Sequence, residues 1–126
     1  MSRILVIDDD RVLRRALLVA LKKMGHEVFE ACDGRDGLQA YEIEPVDLVI
    51  TGLLMPDREG VETIQALKNM RPDLRIIAMS GGGRSNPDDY LQIAKQFGAN
   101  TVFAKPFDFS DLSATVTALL GGTETR

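Results

Sequence analysis

Short unbroken apolar runs alternate along the chain with segments whose apolar residues recur every three or four positions. RILVI, Arg3 to Ile7, is apolar and β-branched without alternation, which predicts a strand buried on both faces. Leu13, Ala16, Leu17, Ala20, Leu21 and Met24 then keep the helical period, and Gly25 supplies the stop. EVFEA predicts a second strand. Asp33 opens a second helix through Leu38, Tyr41 and Ile43, with Pro45 beyond it. DLVIT predicts the third strand, and Val61, Ile64 and Leu67 mark a third helix that closes before Pro72. RIIAM predicts the fourth strand. NPDDYLQIAKQFG predicts a fourth helix, with Asn86 as N-cap, Pro87 at its first position and Gly98 as C-cap. TVFA predicts the fifth strand. A fifth helix runs from Asp108 to Leu120, with Asp108 and Asp111 spaced like a capping box and Gly121 as its stop.

Strand-helix units of this length predict a parallel sheet covered on both faces. Right-handed crossovers leave a barrel or a doubly wound sheet, and five strands are too few for an eight-stranded barrel. The expectation is therefore one open α/β domain over residues 1–121. GGTETR closes the sequence, and residues 122–126 are expected to form a flexible tail.

In an open α/β sheet the ligand site lies beyond the carboxyl ends of the strands. The first strand runs into Asp8, Asp9 and Asp10, the third into Thr51 and Gly52, the fourth into Ser80, and the fifth into Lys105 and Pro106. Carboxylates, a hydroxyl and a lysine are thus expected in one crevice. Paired carboxylates suit a hard divalent cation such as Mg²⁺. A lysine and a hydroxyl suit phosphoryl oxygens whose remaining charge the metal neutralises. Taken singly, Asp10 reads as the N-cap of the first helix, Ser80 as a turn residue and Lys105 as a solvated lysine. Their coincidence at strand ends is what argues for a shared pocket.

Composition narrows the setting. The 126 residues are 44% hydrophobic and 27% charged, as in an ordinary single domain. The net charge of −4 argues against nucleic acid as a direct partner. Cys32 is the single cysteine and cannot form an internal disulfide, which points to a reducing, cytoplasmic setting. No apolar stretch is long enough for a membrane span, and ILVI is too short for a signal peptide.

The motifs ILVIDDD, DLVIT followed by LLMPDREG, IIAMSG and FAKPF together resemble the receiver domains of two-component response regulators, from end to end. The resemblance implies a flavodoxin-like fold of strand order 2-1-3-4-5. It implies Asp8 and Asp9 as an acidic metal pair, the backbone carbonyl of Leu54 as a further Mg²⁺ ligand, Ser80 as a switch hydroxyl and Lys105 as the contact to phosphoryl oxygens. It also implies a cis Lys105–Pro106 bond, and signalling rather than enzymatic turnover.

The resembled family accepts a phosphoryl group on an aspartate at the end of the third strand. Here that position is Gly52, which has no nucleophile and withdraws one metal ligand. Asp57 is no substitute, since five residues on it reads as the start of the third helix. A glycine at a strand end weakens a sheet unless its backbone takes a positive φ or approaches another closely. Two accounts stay open. Gly52 belongs to a natural pseudo-receiver that signals without phosphorylation, or to an acceptor-less, phosphorylation-deficient form of an ordinary receiver. The otherwise complete pocket favours the second.

Output and partners are legible in part. The family often carries an aromatic residue three before the lysine; here that residue is Val102, and strand alternation points Phe103 to the other face. The loop GGGRSN lacks the lysine and spacing of a P-loop and reads as a flexible lid. Val12, Leu18 and Val19 widen the apolar face of the first helix, where the resemblance implies docking of a histidine kinase or phosphotransfer domain. Two other readings compete. Asp8-x-Asp10 resembles the nucleophile motif of haloacid-dehalogenase-type phosphohydrolases, with Asp8 attacking, but a second acidic pair late in the chain is missing. A flavin carrier of the same fold would need a hydroxyl-rich phosphate loop where three aspartates stand.

Overall fold

A computed structural model describes residues 2–53, 59–80, 92 and 95–121. Five strands, β1 (Arg3–Ile7), β2 (Glu27–Ala31), β3 (Leu48–Gly52), β4 (Arg75–Ser80) and β5 (Thr101–Ala104), form one parallel sheet in the order β2-β1-β3-β4-β5. Among the described residues there are four helices, α1 (Arg11–Lys23), α2 (Gly34–Ile43), α3 (Glu59–Met70) and α4 (Phe109–Leu119). This is the flavodoxin-like order that the resemblance implies.

The unbroken apolar runs have a simple cause. Successive side chains of a strand point to opposite faces, so a strand covered on both must be apolar throughout. Leu5, Ile7, Val49, Ile76 and Ala78 pack with Tyr41 of α2 and with Ile64 and Leu67 of α3. Ile4, Val6, Leu48, Ile50, Ile77 and Met79 pack on the other face with Leu17 and Leu21 of α1 and with Leu112 and Val116 of α4. Burying a Leu or Val of this kind contributes about 1.5–3 kcal/mol each, so two such residues suffice to seat a helix.

The helix ends follow their sequence signals. Asp10 caps α1 by accepting from the backbone N–H groups of Val12 and Leu13 at 3.0 and 3.1 Å. Asp33 caps α2 through Asp36 N at 2.9 Å. Asp108 caps α4, but it accepts from Ser110 N at 3.3 Å rather than from Asp111 N as a capping box would require. Gly25 and Gly121, at φ +97° and +73°, follow α1 and α4 in the left-handed conformation that ends a helix.

Three positions depart from the expected core. Ala16 is exposed, because the buried stripe of α1 centres on Leu17 and Leu21 and the neighbouring position is turned by about 100°. Ile43 is 82% exposed, two positions beyond buried Tyr41 and therefore on the far side of α2. Leu18 is half-buried against the α1/α4 cluster, so it belongs to the core margin and not to a free outer face. The third strand runs one residue later than DLVIT, from Leu48 to Gly52, and the Asp47 side chain just before it accepts from Arg3 N at 2.9 Å. Most of the expected fourth helix, the GGGRSN loop, Asp57 and residues 122–126 lie outside the described residues.

Candidate functional site

Asp8 follows β1 directly and its side chain is 1% exposed. A buried carboxylate must find hydrogen bonds or a counter-charge. Asp8 finds both. Its Oδ1 accepts from Asp10 N at 2.8 Å, which fixes the turn into α1. Its Oδ2 accepts from Lys105 Nζ at 2.9 Å, across 97 residues of sequence. Asp9, between two engaged aspartates, is exposed.

Gly52 closes β3 in register with Met79 and is buried. It is not among the residues of positive φ. A Cβ at this position would lie 2.8 Å from Asp8 Oδ2 and 3.3 Å from Asp8 Cγ, so the carboxylate of Asp8 stands over the bare glycine. Ser80 ends β4 in register with Ala104, and its carbonyl accepts from Lys105 N at 2.8 Å. The Ser80 hydroxyl is fully buried and finds no hydrogen-bond partner among the described residues. The Lys105–Pro106 bond is cis. Asp8, Gly52, Ser80 and Lys105 therefore meet at the carboxyl end of the sheet. Leu54 lies outside the described residues.

Three further residues serve this corner. Arg14, 13% exposed, donates to the Asp8 carbonyl at 2.7 Å and to Glu30 Oε1 at 2.8 Å. Arg15 takes the other oxygen of Glu30 at 2.8 Å. The guanidinium fork thus ties the acid-bearing turn to edge strand β2. Sequence reasoning missed this contact. The available signals were Arg14 one helical turn after the cap and a glutamate interrupting an apolar strand. The hydrogen bond from Arg14 holds the Glu30 carboxyl below the usual carboxylate range. A lowered folded-state value stabilises the fold fully above the unfolded value near 4.5, and this contribution is lost as pH falls through the lower folded value. Glu30→Gln should therefore cost about 1 kcal/mol at neutral pH. The gap between parent and variant should close in acid; denaturant melts across pH that run parallel would contradict this.

Cys32 is a weakened nucleophile. It is exposed, and its thiol is pushed up by donating to Asp36 at 2.8 Å, which disfavours the thiolate.

Residues 4–117 match the family model of the response regulator receiver domain. The chain belongs to that family. This receiver is 38% identical over 115 residues to the DNA-binding transcriptional regulator NtrC of Azospirillum brasilense, covering 91% of the chain but 23% of that relative. It is 32% identical over 115 residues to sporulation initiation phosphotransferase F of Bacillus subtilis (strain 168), covering 91% of the chain and 90% of that relative. Among solved structures, it superposes on a CheY-like receiver domain protein from Methanospirillum hungatei JF-1 with a TM-score of 0.87 and 27% identity, over 98% of this chain and 97% of that one.

The receiver's β5 side chains divide as alternation requires. Val102 packs with the α2/α3 cluster, while Phe103 lies in the α1/α4 cluster with its ring 5.6 Å from that of Phe107. On α1, Val12 and Val19 are 81% and 54% exposed, and Leu18 turns inward. No helix among the described residues is long and apolar enough to cross a membrane.

Proposed function

We propose that this chain is a phosphorylation-deficient receiver of two-component phosphorelay signalling, one domain over residues 1–121, in which Gly52 holds the family's phosphoryl-acceptor position. One observation carries the reading: Gly52 sits at the end of β3 beside Asp8, which Lys105 engages, in a pocket otherwise suited to phosphoryl chemistry. The Bacillus relative is named a phosphotransferase, which accords with that chemistry. Lys105 and the Ser80 hydroxyl, which has no hydrogen-bond partner among the described residues, are the groups that would meet phosphoryl oxygens.

The donor set fits a hard cation, since Asp8 and Asp9 are adjacent carboxylates at a strand end and each carboxylate oxygen has a second lone pair. Asp8, Asp9 and the Leu54 carbonyl are the residues that would hold Mg²⁺, and Gly52 leaves the set one carboxylate short. When bound, the ion would neutralise charge between the carboxylates and an incoming phosphoryl group. The protein's own part is to hold Asp8 in place through Asp10 N–H and to present Lys105 beside it.

The cytoplasm is the setting this reading requires. The partner would be a histidine kinase or phosphotransfer domain seated on α1, whose Val12 and Val19 are the exposed apolar contacts; Leu18 supports them from the core. The test is intact-mass measurement after incubation with acetyl phosphate and Mg²⁺. The chain should gain no phosphoryl group at position 52, and Gly52→Asp should gain one. A second reading, a natural pseudo-receiver acting as a phosphorylation-independent interaction module, draws support from the Asp8–Lys105 pair, which completes the site without phosphate. The family match supports the receiver reading over the Asp8 phosphohydrolase and the flavin carrier.

A weaker metal site has a direct consequence. Mg²⁺ should bind the glycine form about tenfold less tightly than Gly52→Asp, a difference near 1.4 kcal/mol. Thermal melts of both forms with and without Mg²⁺ read this through ligand linkage. A larger Mg²⁺ stabilisation of the glycine form would refute it.

A further inference from the structure

The turn from β1 into α1 is held at three points. Asp8 N donates to the Ala31 carbonyl of β2 at 3.2 Å, and Asp8 Oδ1 accepts from Asp10 N at 2.8 Å. The Asp8 carbonyl is the third point. It accepts from Arg14 Nη1 at 2.7 Å, and the same guanidinium donates through Nε to Glu30 Oε1 at 2.8 Å. Arg15 holds the other oxygen of Glu30, so the carboxylate that locks Arg14 is itself locked from both sides. Asp9 is held differently. It is exposed, and no side-chain hydrogen bond or ion pair anchors it among the described residues. Its direction is therefore set by its backbone. The Asp8 carbonyl belongs to the planar peptide unit that carries Asp9 N, so a donor that fixes this oxygen fixes the plane from which Asp9 projects.

We propose that Arg14, locked by Glu30, is a positioning residue: it fixes the Asp8–Asp9 peptide plane, sets the direction of Asp9 relative to Asp8, and so raises the affinity of the acid pair for a divalent cation. The proposal rests on the reading of Asp8 and Asp9 as that pair. The charge of Arg14 works against this role, because a guanidinium close to two carboxylates repels an incoming cation. Geometry and charge therefore predict opposite results when Arg14 is removed. Arg15 is the natural control, since it carries the same charge and shares Glu30 but is not the donor to the Asp8 carbonyl.

The experiment titrates Mg²⁺ into the full chain and its variants by calorimetry. Arg14→Gln should bind about tenfold less tightly than the parent, the loss usual when a group that orients a metal ligand is removed. Arg15→Gln should stay within about twofold, since its exposed charge is screened. Unchanged or tighter binding in Arg14→Gln overturns the proposal, as does an equal loss in Arg15→Gln. A second readout needs no metal. In EDTA the amide nitrogen resonance of Asp9 reports the hydrogen bond to the carbonyl joined to it. It should move in Arg14→Gln and hold in Arg15→Gln; a resonance that holds in both overturns the clamp. A parent that shows this pattern yet binds no Mg²⁺ overturns the reading of Asp8 and Asp9 as a metal pair, while the hold of Arg14 on the peptide plane is supported. Should Arg14→Gln fail to fold, Arg14→Lys carries the test. It keeps the charge, but one ammonium does not replace the fork, so its Mg²⁺ affinity should still fall about tenfold. Parental affinity in Arg14→Lys overturns the proposal.

Discussion

Gly52→Asp is expected to turn a chain that takes no phosphoryl group at this position into one labelled stoichiometrically by acetyl phosphate in the presence of Mg²⁺. The geometry explains why one side chain should suffice. The new Cβ meets Asp8 Oδ2 at 2.8 Å, Cγ at 3.3 Å and Oδ1 at 3.8 Å. These are the far end of a short flexible side chain, not backbone, so Asp8 can turn aside. Its Oδ1 remains anchored by Asp10 N–H while Oδ2 is released from the space over position 52. Lys105 then stands between two carboxylates, near enough to meet an incoming phosphoryl group.

Transfer would break the phosphorus–oxygen bond to acetate and form one to the carboxylate that the substitution introduces at position 52, with acetate leaving. Such a reaction depends on positioning and charge neutralisation more than on covalent help from the protein, so a pocket already built needs little else. The same variant gains a like charge beside buried Asp8, so without metal it should be the less stable form. If Gly52→Asp binds Mg²⁺ and stays unlabelled, the phosphorylation-independent module becomes the better account. If the glycine form gains a phosphoryl group on another aspartate, position 52 is not the sole acceptor.

How much of this was legible depends on which physical signal each feature uses. The strands were legible because burial on two faces leaves an unbroken apolar run, as Ile4 and Val6 on one side and Leu5 and Ile7 on the other show. Asp10 and Asp33 were legible as caps because capping is local chemistry over three residues. The crevice was legible because parallel topology brings strand ends together whatever the side chains are. The Asp8–Lys105 pair was not, since it joins residues 97 apart and depends on where two side chains point. Arg14 and Glu30 escaped for the same reason: their charges read as surface until β2 is placed against α1. Ile43 and Ala16 were misplaced because an apolar residue within one helical turn of a core stripe can face either way.

The largest stability loss from a small change is expected at Gly60. It lies in the first turn of α3, buried against the end of β3, and a Cβ there would strike Gly52 O and approach Leu53 Cα to 2.7 Å and Leu53 O to 3.0 Å. All three atoms are backbone, held by the sheet, where Leu53 N donates to Met79 O at 2.7 Å. The clash can be relieved only by moving α3 away from β3, which opens the packing of Ile64 and Leu67 on the core. Gly37 is the useful contrast. A Cβ there would strike Ile7 Cδ1 and approach Cγ1 to 2.8 Å, the far end of a side chain that can change rotamer. Replacing a helical glycine by alanine also brings a propensity gain of about 1 kcal/mol in both cases. Overpacking against a yielding side chain costs about as much as that gain, so Gly37→Ala should come out within about 1 kcal/mol of the parent. Overpacking against fixed backbone costs about 3 kcal/mol or more, so Gly60→Ala should lose about 2 kcal/mol net. The displaced β3–α3 junction also carries Gly52, so in the Gly52→Asp background Gly60→Ala should slow phosphoryl uptake as well. Urea denaturation of the two alanine variants separates the cases, and a Gly60→Ala protein as stable as Gly37→Ala would show that the approach of α3 to β3 is not fixed by the missing side chain.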